Sequence, residues 1–202
     1  MATSTSRRTT RRIAGNARRL DRLVTNLLDL DRLARGIVTP NLQPTDVGSV
    51  VRRVLSESEL IPDARLRTDI RPVMVRADAS KVERIVENLL ANTVRHTPST
   101  ATIWVSVAAT DEGALLAVED DGAGVAEDLR ETIFEPFQQG PDAPRHSPGV
   151  GVGLTLVRRF AELHGGRAWV EDREGGGASF RVLLPFEPPE TAAAGTALSD
   201  GG

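Results

Sequence analysis

The stretch KVERIVENLLANTVRHTP, residues 81–98, decides how the rest of the chain is read. At 100° per residue, Val82, Ile85, Val86, Leu89, Leu90 and Val94 fill one apolar arc. That spacing predicts a helix from about 79 to 96, stopped by Thr97-Pro98. Asn88 and Asn92 fall one turn apart beside the arc, and Arg95 and His96 follow at its C-terminal end. Asparagine is a poor helix former, so two of them on one mid-helix face need compensation. A side-chain carbonyl is a hard oxygen ligand that suits Mg²⁺, which also binds phosphate oxygens, and an arginine one turn away neutralises phosphate charge. Solvated helix faces carry Asn pairs too, so the helix alone does not fix a function.

Downstream, 101–109 and 114–119 read as strands paired across the Asp111–Gly113 turn. The second strand runs into EDDGAGV, residues 119–125. It delivers Asp120, a strong hydrogen-bond acceptor, into a turn whose Gly122 and Gly124 let backbone approach a flat ligand. A plain Asp-Gly turn has the same composition. A short helix is expected around 127–133, then a Pro/Gly-rich stretch from Pro136 to Val150 that reads as a mobile loop with a job. SPGVGVGLTLVRRF, residues 147–160, sets Gly149, Gly151 and Gly153 at single-residue spacing before a helix from about 152 to 164. Glycine-rich backbone entering a helix N-terminus offers free N–H groups to phosphate. It is neither a P-loop, since no GK[ST] follows, nor a dinucleotide fingerprint. Strands at 167–172 and 178–184 close the unit, and the tail after Pro185 is expected to be disordered.

Upstream, Ile13, Ala17, Leu20, Val24 and Leu27 alternate steps of four and three, a coiled-coil-like seam that should end near Gly36. One such helix cannot bury its stripe alone, so it is expected to dock on partner helices, from another chain. Pro40 to Pro44 reads as a linker, with a cap at Thr45 or Asp46 opening a helix through Leu55. Extended pieces follow at 65–70 and 73–77, separated by Pro72. Helices interleaved with mostly antiparallel strands give an α+β, two-layer α/β sandwich: a mixed sheet covered by helices, preceded by an amphipathic helix. The expected division is a helical segment at 1–39, a domain at 44–187 and a tail at 188–202.

Composition narrows the function. A net charge of −3 argues against a bulk nucleic-acid binder. With no cysteine, disulfides, thiolate zinc sites and thiol nucleophiles are excluded, which suits a cytoplasmic setting. No apolar run approaches the roughly 20 residues a bilayer requires. The Arg- and Ser/Thr-rich start, MATSTSRRTTRR, continues into the helical pattern and reads as part of it, not as a transit peptide.

Taken in order, these motifs resemble the ATP-binding domain of histidine kinases, within a superfamily that includes gyrase-type topoisomerases, a heat-shock chaperone and mismatch-repair ATPases. ENLLANTVRHTP is similar to the family's asparagine box, EDDGAGV to its first glycine box, IFEPFQQG to its phenylalanine box and GVGVGLTLVRRFAELHGG to its second glycine box. GGGASFRVLLP resembles the closing strand, and RLDRLVTNLLDLDRLARG the second helix of the dimerisation and phosphotransfer bundle. The resemblance implies ATP and Mg²⁺ as ligands. It makes Asn92 the metal ligand, Asn88 a phosphate or metal-shell partner and Arg95 a phosphate contact, and it puts His96 beside the nucleotide, where a tyrosine is usual. Asp120 becomes the acceptor for the adenine amine, with Gly122 and Gly124 under the ring. Gly149, Val150, Gly151, Val152, Gly153 and Leu154 become the phosphate cradle. Gyrase-like hydrolases carry a glutamate base where this chain has Asn88, which favours phosphoryl transfer over hydrolysis.

The chain departs from the pattern at Gln138-Gln139, where an arginine often stands; Arg145 is a candidate substitute. Val150 and Val152 replace commoner small or Leu residues. None of His96, His146 and His164 sits in a phosphoacceptor motif, and His164 is expected to be structural. The implied partners are a histidine-containing helical bundle, from a missing region of this protein or a separate chain, a response regulator, and a second copy joined through the N-terminal helix. Two alternatives remain at this stage: a nucleotide-dependent interaction module without kinase activity, and an anti-sigma-type serine kinase.

Overall fold

A computed structural model describes residues 24–58, 61–62, 65–137 and 151–188. Helix α1 covers 24–34. Gly36, at φ 66°, caps it: its N–H donates to Leu33 O and that of Ile37 to Arg32 O. Then follow β1 (Gln43–Asp46), α2 (Val47–Glu57), β2 (Leu66–Ile70), β3 (Met74–Ala77) and α3 (Ala79–His96). β4 (Ile103–Ala109), β5 (Gly113–Asp120), α4 (Gly153–Leu163), β6 (Arg167–Asp172) and β7 (Ala178–Pro185) complete the order.

Five strands form the main sheet in the order β2-β4-β5-β7-β6, with β2 parallel to β4 and every other pair antiparallel. Period-2 alternation points Ile103, Val105, Val107, Leu116, Val118, Phe180 and Val182 to one face, where all are buried. α2, α3 and α4 cover that face with Val47, Val51, Val82, Ile85, Val86, Leu89, Leu156, Val157 and Phe160, giving the expected two-layer sandwich. Each such side chain contributes about 1.5–3 kcal/mol on burial.

The expected linker behaves differently. Gln43–Asp46 is a strand that pairs antiparallel with β3, so the two extended pieces around Pro72 lie in different sheets. Of the two candidate caps for α2, Asp46 does the capping, accepting from Gly48 N at 3.1 Å, while Thr45 belongs to β1. The expected short helix at 127–133 is two 3₁₀ turns, Glu127–Leu129 and Thr132–Phe134. The seam residues before Val24, the loop at 138–150 and the tail from 189 lie outside the described residues. Among the described residues no helix is long and apolar enough to cross a membrane.

Candidate functional site

α3 runs the predicted length because both ends are specified. The Asp78 side chain accepts from Ser80 N and Lys81 N, and Thr97 N donates to Thr93 O before Pro98. The start of the helix is also tied to the end of α4. His164 is 1% exposed, its Nε2 accepting from Asp78 N at 3.0 Å while Nδ1 lies 2.6 Å from Phe160 O. A ring with one accepting and one donating nitrogen is neutral, and burial lowers its pKa. His164 is thus structural, as its position before Gly165-Gly166 suggests.

At the other end of α3, Thr97 meets the end of β5. Asp120 closes that strand opposite Ile103 of β4 and Ala178 of β7, and is 4% exposed. Its Oδ1 accepts from Gly122 N at 2.9 Å. Desolvation raises the Asp120 pKa, assisted by Asp121 and opposed by the Gly122 and Ala178 N–H groups and Arg173. A Cβ on Gly122 would lie 2.7 Å from Asp120 Oδ1 and 3.1 Å from Thr97 Cγ2. Gly124 is held at φ 76°. The carboxylate therefore stands in a space kept open by missing side chains.

Gly177 lies in the turn between β6 and β7 and packs against the end of β5, though its residue type alone gives it no site role. It sits at φ 100°, and a Cβ there would be 1.8 Å from the Asp120 backbone oxygen. The run Gly175-Gly176-Gly177, all at positive φ, was the available signal.

The α4 end of the site is built on close approach. A Cβ on Gly153 would lie 3.1 Å from Asn88 Oδ1, so the first turn of α4 packs directly on α3. Val152, buried, takes the N-cap position without a side-chain cap, which leaves first-turn N–H groups for other acceptors. Gly151 is at φ 69°, and its carbonyl accepts from Phe137 N at 3.1 Å. Leu154 is half-buried against the core. Gly149 and Val150, with Gln138-Gln139, Arg145 and His146, lie outside the described residues.

The two asparagines part company. Asn92 is half-buried and makes no side-chain hydrogen bond among the described residues. Asn88 is 4% exposed with both polar atoms of its amide hydrogen-bonded, its Oδ1 accepting from Asn26 of α1 at 3.1 Å and its Nδ2 donating to Arg84 O at 2.7 Å. Arg95 and His96 are exposed at the helix end; partial desolvation and the Arg95 charge lower the His96 pKa.

The site therefore offers a desolvated acceptor, glycine-cleared space, a half-buried amide and an uncapped helix start. The hydroxyls of Thr93, beside Asn92, and Thr155, in the first turn of α4, are buried without partners among the described residues. Hard oxygen and N–H donors of this kind fit a purine nucleotide with a divalent cation. A cleft of about 540 Å³, which shares Thr155 with this site, lies between Leu30 and Leu33 of α1 and Arg159 and Leu163 of α4.

Residues 77–188 match the family described as "Histidine kinase-, DNA gyrase B-, and HSP90-like ATPase". Hybrid signal transduction histidine kinase D of Dictyostelium discoideum is 34% identical over 87% of this chain and 12% of its own length. Sensor histidine kinase TmoS of Ectopseudomonas mendocina is 34% identical over 89% of this chain and 19% of its own. The chain therefore spans less than a fifth of the length of either relative. The solved structure of full-length ShkA in complex with AMPPNP superposes with a TM-score of 0.70 at 28% identity, covering 94% of this chain and 40% of that one.

Proposed function

Because the chain belongs to the histidine kinase-, DNA gyrase B- and HSP90-like ATPase family, we propose that residues 44–187 form a domain that binds ATP·Mg²⁺ and donates the γ-phosphate to a histidine on a helical bundle. The observation that carries this reading is the convergence of buried Asp120, the gap at Gly122 and the C-terminal end of α3. Asp120 accepts from the adenine amine, and Gly122, Gly124 and Gly177 keep the ring's approach clear. Asn92 offers its amide oxygen to the cation, Arg95 balances phosphate charge, and Gly151 to Leu154 present backbone N–H groups to phosphate. Bound Mg²⁺ supplies neutralisation of the charge on the transferring phosphoryl group.

With Asn88 where a hydrolase holds its glutamate, no side chain of α3 is set to activate water, so positioning and charge neutralisation are the domain's contribution. The nucleophile is the partner's histidine. Residues 1–39, through the outward side of α1, join the chain to a second copy or to that bundle, and a response regulator receives the phosphoryl group next.

The test is transfer in trans. Incubated with radiolabelled ATP and a separate bundle carrying its phosphoacceptor histidine, the chain is expected to label the bundle and not itself. Self-labelling on histidine refutes the division of labour. ATP binding without transfer to any bundle favours the nucleotide-dependent interaction module, and labelling of a serine favours the anti-sigma-type kinase.

A further inference from the structure

α1 has two unlike sides. At 100° per residue, Val24, Leu27 and Leu28 share one side and are 49%, 41% and 52% exposed. Asn26, Asp29, Leu30 and Leu33 share the opposite side and face α3 and α4: Leu30 and Leu33 pack on the core, and Asn26 is 5% exposed. The polar part of that contact is one connected network. Asn26 Nδ2 donates to Asn88 Oδ1 at 3.1 Å, and Asn26 Oδ1 accepts from Arg84 Nη2 at 2.6 Å. Arg84 Nη2 also reaches Asp29 Oδ2 at 3.2 Å, with both side chains about four-fifths buried (relative exposures 19% and 20%). Arginine only donates and a backbone carbonyl only accepts, so the Arg84 contacts fix the orientation of both amides. Asn88 Oδ1 is consequently committed to a side chain outside the domain's own sheet and helices.

We propose that Asn26 is a positioning residue that gates Asn88: while it holds Asn88 Oδ1, α1 is latched to the nucleotide helix, and a metal-bound nucleotide that recruits this oxygen releases the latch. This rests on the nucleotide-binding reading above. Asn88 and Asn92 lie on one face of α3, one turn apart, and only Asn88 is taken by α1. The state with α1 latched therefore offers the metal and phosphates one amide where the resemblance implies two. Because α1 carries the outward apolar side on its back, loosening the latch frees the domain to move relative to whatever that side binds. Competition for a single oxygen thus couples nucleotide occupancy to the placement of the domain on its partner helices.

Two measurements test the gate on the whole chain. In the wild-type chain, amide hydrogen exchange over 24–34 is expected to speed up on saturation with Mg²⁺·AMPPNP and to stay unchanged with adenosine. In Asn26→Leu, which keeps the side chain's bulk but cannot donate to Asn88, calorimetry is expected to give about fivefold tighter Mg²⁺·AMPPNP binding, the ratio set by one net hydrogen bond. Adenosine affinity should not move. A purely structural contact would change both ligands in parallel or leave both unchanged, and either result overturns the gate. Exchange in α1 that is insensitive to bound Mg²⁺·AMPPNP overturns it independently, even if the variant fails to fold. Failure of both ligands to bind the wild-type chain instead refutes the nucleotide reading on which the gate stands.

Discussion

Replacing Asp120 by Asn should move stability and nucleotide affinity in opposite directions. Asp120 is 4% exposed, and desolvation is the largest influence on its carboxyl, raising the pKa despite the N–H groups of Gly122 and Ala178. A carboxylate whose native pKa is raised binds its proton more tightly folded than unfolded. Stability from this group is therefore lost as pH rises from the ordinary value near 3.8 through the raised native value. Asn has no charge to desolvate and can still accept from Gly122 N. The ligand-free variant is thus expected to melt at the same temperature as the wild type or higher, and to show a flatter stability profile as pH rises above the ordinary carboxyl value near 3.8. ATP binding should weaken, because the amide replaces one acceptor oxygen with a donor facing the adenine amine. Losing a hydrogen bond to a charged group and leaving a mismatch costs about 1.5–3 kcal/mol, or roughly 10- to 100-fold in Kd. Calorimetry with ATP, paired with thermal melts of the ligand-free protein, reads both quantities. Unchanged affinity refutes the adenine assignment. A large drop in the melting temperature without ligand refutes the argument that burial disfavours the charged form.

Two further substitutions probe the frame around the site. His164→Leu removes the acceptor for the Asp78 N–H and should cost about 1–3 kcal/mol in urea unfolding. Because burial lowers the native pKa of His164, the wild type should lose stability as pH falls below the ordinary histidine value near 6.5, and the variant should lack that component. Gly177→Ala puts a methyl group on the Asp120 backbone oxygen at a positive φ, so about 2 kcal/mol or more of stability and most ATP affinity should go together; a folded variant with normal binding would show that the glycine run plays no part in the site.

Much of this architecture is legible locally. α3 announces itself through its apolar arc, an Asp before it and Thr97-Pro98 after it, and the β4–β5 hairpin through alternation across Asp111–Gly113. Pairing between distant segments is not encoded that way. Gln43–Asp46 is a four-residue strand containing Pro44, and nothing in its own pattern says that β3 pairs with it while β2 joins β4 in parallel. The two 3₁₀ turns before Pro136 share their composition with a short helix, and the second of them ends on buried Phe134. The seam of α1 reads as a helix in need of a partner, and its described residues Val24 and Leu27 are exposed, while Leu30 and Leu33 lie outside that seam and pack against the chain's own core.

The same distinction separates the site's residues. Poor helix formers, a buried acidic strand end and a glycine run are local inconsistencies, and such positions in a folding sequence are where function is expected. Asn88 and Asn92 are indistinguishable by that criterion: same residue, same face, one turn apart. Their difference lies in Asn26, which is 62 positions away from Asn88 in sequence and satisfies its oxygen from another helix. The inconsistency at Asn88 is thus absorbed within the protein while α1 is latched, whereas that at Asn92 has no such partner among the described residues. Asp78 and His164 make the complementary case: the His164 ring bonds the Asp78 N–H and Phe160 O, the Asp78 carboxylate accepts from Ser80 N, and together they hold α3 in place. Where backbone groups of the fold complete a buried polar residue's hydrogen bonds, the residue serves structure. For Asp120 the fold supplies Gly122 N and Ala178 N yet burial still disfavours the charge, so the group retains a deficit that a donor such as an adenine amine is suited to relieve.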